Sequence, residues 1–209
     1  DQSGFVAPFV TQGVYIIKLI AGGKTIEGTL DLKVSPFTPN SLDDISVQQE
    51  TSMKMYKMQE DLAFMVENIL KVQTAVNTYI DSGKIDESTG KTLASELEDL
   101  RVQLVSVKEG RITGEENFKD KLGWLYLMVT WVNSRPTDSQ LDRIKTLEAE
   151  FQDFSKKADD IYKNYLSKVN SELKSNGAKE IQLMTREEFD KMDSSGKTQK
   201  TVNFDYFRF

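Results

Sequence analysis

The feature that most constrains the fold is an apolar stripe in the first half of the chain with a period near 3.5 residues. Its members are separated alternately by three and four residues and are Met55, Met58, Leu62, Met65, Ile69, Val72, Val76 and Tyr79. This spacing places them all on one face of an α-helix. The stripe therefore predicts a long amphipathic helix from about residue 43 to 81.

Three further helices are predicted from the same spacing, over residues 89–108, 114–133 and 138–175. Thr113 with Glu116 and Thr137 with Gln140 match the capping box that satisfies free amides at a helix start. Gly177 is suited to end the last helix. Because the third helix is apolar on nearly all sides, we expect it to be the most buried of the four.

The lengths of these helices predict an up-down antiparallel bundle with two long and two short helices. We expect the two short helices to form a hairpin that covers half of the long pair. One end would then be a four-helix bundle, and the other a two-helix coiled coil from which both flanking segments emerge. The alternating residues Val202, Phe204 and Tyr206 predict a C-terminal tail that returns as a strand or extended segment, against either the β-part or the exposed coiled coil.

Residues 11–36 show a different period, with alternating apolar residues on both sides of an Ala-Gly-Gly turn. This pattern predicts a β-hairpin. A lone hairpin is marginal in water, and about seven strands are needed for an immunoglobulin-like sandwich. Either the helices cover its apolar face, or strands upstream of this sequence complete it, and we favour the second interpretation.

The expected fold is therefore mainly α with a small β part. Residues 1–40 are predicted to be the hairpin, or part of an Ig-like sandwich. Residues 41–177 are predicted to be the helical bundle, and residues 178–209 a short helix with an extended tail that packs back.

Composition excludes several classes of function. The chain has 209 residues, no His, no Cys and a net charge of −6, with a pI near 4.9. Thiol and histidine catalysis and Cys/His zinc sites are therefore excluded, and an acidic chain is a poor match for nucleic acid. No window is apolar enough to span a membrane, and no export signal is recognisable within the sequence. We predict no cofactor and no metal.

Several motifs resemble binding sites without meeting their requirements. "GKT" occurs at Gly23, Gly90 and Gly196, but the glycine that a phosphate-binding loop needs five residues earlier is missing. "DSGKIDE" lacks the alternating ligands of a calcium loop. The carboxylate pairs Glu115–Glu116 and Asp159–Asp160 lie in charge-mixed helical runs, where a solvated helix face is the favoured interpretation over glycoside chemistry.

Three aromatic residues, Trp124, Tyr126 and Trp131, are candidates either for an interaction surface or for the core. Their helical spacing within an apolar segment favours the core. The methionines at positions 53, 55, 58 and 65 suit a surface that accepts varied partners, but core packing beneath the hairpin is favoured.

Two stretches carry a resemblance to a known family. They are "PFVTQGVYIIKLIAGGKTIEGTLDLKVSP" and "RITGEENFKDKLGWLYLMVTWVNSRPTDSQLDRIKTLEAEF". The second contains Leu122 to Tyr126 and Arg135 to Thr137, which match a "KLGWLY…RPT" signature. Together they resemble the C-terminal region of large secreted bacterial proteins with sortilin-like or neuraminidase-repeat (BNR) β-propellers, often labelled glycosyl hydrolases.

The resemblance implies that any catalytic site lies in upstream propellers, and that this chain is not itself an enzyme. We predict a non-catalytic structural or protein-interaction module of an exported protein, at the cell surface or in the bacterial envelope. Its partners would be the upstream propellers and an envelope protein. The alternative is an accessory region of a carbohydrate-active enzyme.

Overall fold

The structure is a computed structural model that describes residues 7–105, 117–132 and 134–194. It is mainly helical with one small two-stranded sheet, which confirms the expected fold class. The predicted strand at Val202–Tyr206, the capping box of Thr113 with Glu116 and the Glu115–Glu116 pair lie outside the described residues.

The sheet is the hairpin predicted from the alternating residues. Strands β1 (Gly13–Ala21) and β2 (Lys24–Leu32) pair antiparallel from Gly13 opposite Leu32 to Ala21 opposite Lys24. Gly22 and Gly23 form the turn with φ values of 56° and 74°. Positive φ at both central residues is required by the type I′ turn, one of the two turns favoured in two-residue hairpin loops, and glycine adopts it without strain.

Six helices follow within the described residues, and side-chain caps fix the starts of the first four. They are α1 (Leu42–Asp81), α2 (Glu87–Leu104), α3 (Phe118–Trp131), α4 (Asp138–Ile161), α5 (Ser167–Ser175) and α6 (Arg186–Ser194). Ser41 with Asp44 forms a capping box at α1, and Thr137 with Gln140 forms the one predicted at α4. Asn117 is the N-cap of α3. Gly177 ends α5 with a φ of 64°, as predicted.

The two short helices do not form a hairpin, so that expectation is wrong. Gln48 near the start of α1 donates hydrogen bonds to Val129 and Val132 at the end of α3. Gln73 in the second half of α1 donates to Ala94 of α2. The two short helices therefore follow each other along α1 and run in the same direction.

Helix dimensions explain this arrangement. At 1.5 Å per residue, α1 is about 60 Å long, and α2 and α3 in succession span about 48 Å. Two narrow apolar stripes placed end to end can thus cover almost the whole stripe of α1. The expected division into a four-helix half and an uncovered two-helix half is wrong for the same reason.

The core lies between α1, the α2–α3 pair and the α4–α5 pair. Arg135, before α4, forms an ion pair with Asp43 at the start of α1, and Asn176, after α5, donates to the carbonyl of Lys84. Helix α4 therefore runs in the same direction as α1. The most fully enclosed apolar side chains include Met55, Ile69, Val72, Val76, Leu93, Leu97, Leu100, Leu104, Phe118, Leu122, Leu147, Val169 and Leu173.

A π-helical turn, Tyr162–Leu166, joins α4 to α5 without interrupting the helix. Core-facing residues from Ile144 to Leu173, with the partly buried Phe151 and Phe154 included, are three or four positions apart, except for Ile161 and Leu166, which are five apart. A π turn absorbs one extra residue within a helix and so keeps the apolar side chains of both helices on the same core.

The segment after α5, residues 178–186, packs back along the bundle, and we call it the returning segment. Lys179 accepts a hydrogen bond from the Tyr79 hydroxyl, and the Met184 amide donates to Asn68 at 2.6 Å. Arg186 then pairs with Asp61. The segment thus runs beside α1 towards its N-terminus, and it begins at the opposite end of the bundle from the hairpin. The expectation that both flanking segments emerge at one end is wrong.

Candidate functional site

The first candidate surface is the outer face of α3. Trp124 and Trp131 are 46% and 67% exposed, and Met128 lies between them at helical spacing with 57% exposed. Tyr126 points inward and is buried, and burial raises the pKa of its phenol to about 12. Of the three aromatic candidates, the structure places Tyr126 in the core and the two tryptophans on the surface.

Helix α3 is therefore not the most buried helix, which corrects the expectation from its composition. It packs against α1 on one side and α4 on another, as shown by the stacking of Phe118 on Phe151. Because α3 packs against helices on two sides only, its third side, with Trp124, Met128 and Trp131, faces solvent. Of the predicted methionine cluster, Met55 and Met58 are buried, but they lie in the helical core and not beneath the hairpin.

The second candidate surface is one face of the hairpin, which we call the β-face. The strand register places the apolar side chains Tyr15, Ile17, Leu19, Ile26 and Leu30 on this side. On the opposite face, Val14, Ile16 and Ile20 alternate with Thr25, Thr29, Asp31 and the ion pair of Lys18 with Glu27. The β-face is thus the more apolar of the two.

The β-face is open to solvent. Ile17, Leu19 and Ile26 are 51%, 59% and 64% exposed, and Leu30 is 44% exposed. Neither strand pairs with a third strand among the described residues, so both edges also offer unpaired backbone groups. An exposed sheet edge of this kind can pair with an added strand.

The third candidate is a cleft of about 590 Å³ between α1, α4, the π turn and the returning segment. Its walls are mainly apolar: Phe64, Met65, Phe151, Ala158, Leu183 and Met184. Its polar groups come from Asp61, Asn68, Ser155, Asp159, Tyr162 and Arg186.

Hydrogen bonds hold the returning segment as one wall of this cleft. The amide of Met184 donates to Asn68, whose side-chain nitrogen donates to the Phe64 carbonyl. Asn170 accepts from the amide of Ile181 and donates to its carbonyl, at 2.8 and 3.1 Å. These bonds satisfy backbone groups that an extended segment would otherwise leave unpaired.

Arg186, the first residue of α6, also lines the cleft. Its guanidinium pairs with Asp61 at 2.7 Å and with Asp190 and Glu60 at longer distances. It also lies 5.5 Å from the ring centres of Phe64 and Phe189, where a cation is attracted to the π-electron face. The charge of Arg186 is therefore already neutralised by groups of the protein.

Tyr162 is the unusual polar group of the cleft. Its hydroxyl is buried and has no hydrogen-bond partner among the described residues. Burial, with a smaller effect of the Asp159 carboxylate, raises the pKa of the Tyr162 phenol, so the hydroxyl keeps its proton at neutral pH. It is thus a hydrogen-bond donor that lacks an acceptor.

The described part of the chain contains neither a cluster of metal ligands nor a membrane-spanning helix. No group of three or more acidic side chains there is placed to hold a metal ion. None of the helices described is long and apolar enough to cross a membrane. Comparison of the chain with protein-family models, curated proteins and solved structures found no match.

Sequence reasoning missed the cleft because its residues come from three distant segments. A partial signal was present in the five-residue step from Ile161 to Leu166, which interrupts the spacing of three and four and marks the π turn beside Tyr162. The sequence pattern predicts a solvated helix face for Asp159 and Asp160, whereas the structure places Asp159 with Tyr162 in the lining of the cleft.

Proposed function

We propose that this chain is a non-catalytic interaction module in which a helical bundle carries a hairpin that docks onto β-structure. The observation that supports this proposal is the open β-face with its exposed residues Ile17, Leu19, Ile26 and Leu30. Burying such side chains stabilises a complex by roughly 25 cal/mol for each Å² removed from water. A further strand can pair with either free edge.

The helical bundle has a separate role in this proposal. The core described for the bundle contains no residue of the hairpin, and the length of about 60 Å makes the bundle a rigid arm. Pro36 and Pro39 lie in the short connection between β2 and α1, where proline limits the backbone to few conformations. An upstream β-propeller of an exported protein as the partner remains a prediction from the resemblance of the two stretches.

Photo-crosslinking in the full-length protein tests this function. Leu19→p-benzoylphenylalanine places a reactive ketone on the β-face, and the same replacement at Thr29 provides the control on the opposite face. We expect Leu19 to yield crosslinks to strand peptides of a partner domain or protein, and Thr29 to yield far fewer. Crosslinks from Leu19 to helices α1 to α6 would overturn the proposal, because the bundle would then cover the β-face itself.

A further inference from the structure

We propose that the cleft between α1, α4 and the returning segment binds a neutral, mainly apolar small molecule whose hydrogen-bond acceptor pairs with the Tyr162 hydroxyl. This site is distinct from the β-face and does not depend on the proposed docking function. The volume of about 590 Å³ falls within the range of roughly 300–1,000 Å³ that is typical of small-molecule sites.

The walls select for an apolar ligand. The aromatic rings of Phe64 and Phe151 and the flexible side chains of Met65 and Met184 line the cleft. Aromatic rings offer large flat contact areas, and methionine adapts to irregular shapes. Since Asn68 and Asn170 fix the returning segment through hydrogen bonds, this wall is in place before a ligand arrives.

The hydroxyl of Tyr162 selects for one polar group on the ligand. A buried hydroxyl without a partner destabilises the folded state, because it has lost its bonds to water and gained none. A carbonyl or ether oxygen of a bound molecule would accept a hydrogen bond from this hydroxyl and remove this cost. The π turn that begins at Tyr162 belongs to a class of helix irregularity often found at functional sites.

The charges around the cleft select against an anion. Asp61 and Asp159 line it, whereas the one cationic group among its lining residues, Arg186, is already paired with Asp61 and further carboxylates. A carboxylate or phosphate in the cleft would therefore meet negative charge. A neutral molecule is not repelled in this way.

Nile red tests the site, because it is neutral, apolar and fluorescent in apolar surroundings and carries a carbonyl acceptor. We expect one dye to bind per chain of the full-length protein, with a blue-shifted emission. Leu183→Trp fills the cleft and should abolish this binding, whereas Gln182→Trp adds the same ring at an exposed neighbour outside the cleft and should leave it unchanged.

Tyr162→Phe removes only the hydroxyl and separates a ligand role from a structural one. We expect dye affinity to fall by about 2- to 10-fold, as for a single hydrogen bond, while the midpoint of thermal unfolding rises in the ligand-free protein. A lower midpoint would show that the hydroxyl serves stability, and an unchanged affinity would show that it contacts no ligand. Either result would overturn the proposal.

Leu30→Lys distinguishes the cleft from the β-face, which can also adsorb an apolar dye. We expect this variant to bind Nile red like the parent protein. Loss of binding in Leu30→Lys together with normal binding in Leu183→Trp would overturn the cleft proposal and leave docking through the β-face intact.

Discussion

At the scale of single residues, two polar networks connect different elements of the chain. Glu98 of α2 accepts hydrogen bonds from Arg101 at 2.6 and 2.8 Å and from Gln73 of α1 at 3.2 Å. The hydrogen bond from Arg101 is the main reason that the pKa of Glu98 lies below its ordinary value. Asn170 connects α5 to the returning segment in a similar way.

Glu98 predicts a specific dependence of stability on pH. Because its folded-state pKa is lowered, its stabilising contribution is complete above the ordinary value of 4.5 and is lost as the pH falls through the folded-state pKa. We expect Glu98→Gln to lose less stability than the parent protein between about pH 5 and pH 3, as measured by urea unfolding. Asp99→Asn removes an exposed carboxylate next to it and serves as the control; equal slopes in parent and Glu98→Gln would contradict the prediction.

At the scale of elements, α3 illustrates how an apolar helix divides between core and surface. Phe118 is fully buried against Phe151 and Phe154, while Trp131 on the outer face is mostly exposed. Composition alone does not distinguish these two environments. The number of neighbouring helices decides which apolar residues are buried. The helices around α3 leave one of its sides in solvent.

Two alanine substitutions in α3 should therefore have very different effects. Phe118→Ala leaves a cavity in the core, and we expect it to lower the free energy of unfolding by about 3–5 kcal/mol. Trp131→Ala should change it by no more than about 0.5 kcal/mol, since little packing is lost. Urea unfolding followed by far-UV circular dichroism measures both. A large loss in Trp131→Ala would mean that the outer face of α3 is covered.

The helices were predictable from sequence because the residues that they bury recur with a period near 3.5, which is visible in the sequence itself. All four core positions of α2, from Leu93 to Leu104, lie where that period places them. The direction of α3 relative to α2 was not predictable from sequence. A hairpin of the two helices and an end-to-end arrangement along α1 would bury the same apolar stripes. The cleft was not predictable either, since Asn68, Tyr162 and Met184 meet only after three segments have packed.

At the scale of the whole molecule, the hairpin and the bundle differ in how they are stabilised. The bundle encloses a continuous core that includes Ile69, Val72 and Val76 of α1. The hairpin relies on one ladder of hydrogen bonds between two strands that are exposed on both faces. Two-stranded hairpins are only marginally stable without further cover.

Hydrogen exchange should reveal this difference directly. We expect amides of β1 and β2 to exchange through local opening, at rates well above those of the buried α1 residues Val66, Ile69, Val72 and Val76. Nuclear magnetic resonance or mass spectrometry of peptides measures both groups in one sample. Equal protection of hairpin and bundle would contradict the prediction and show that the β-face is covered in the free protein.

The return of the segment after α5 has a mechanical consequence. The contacts of Ile181, Met184 and Arg186 follow one another along the bundle. Tension applied beyond Ser194 would therefore break them one after another. Tension applied before Ser41 would instead pull α1 along its axis, against many core contacts at once. Tension from the C-terminal side would therefore remove the wall of the cleft formed by the segment after α5 and leave the helical bundle intact. Binding of the proposed ligand would then be sensitive to pulling from that end of the chain only.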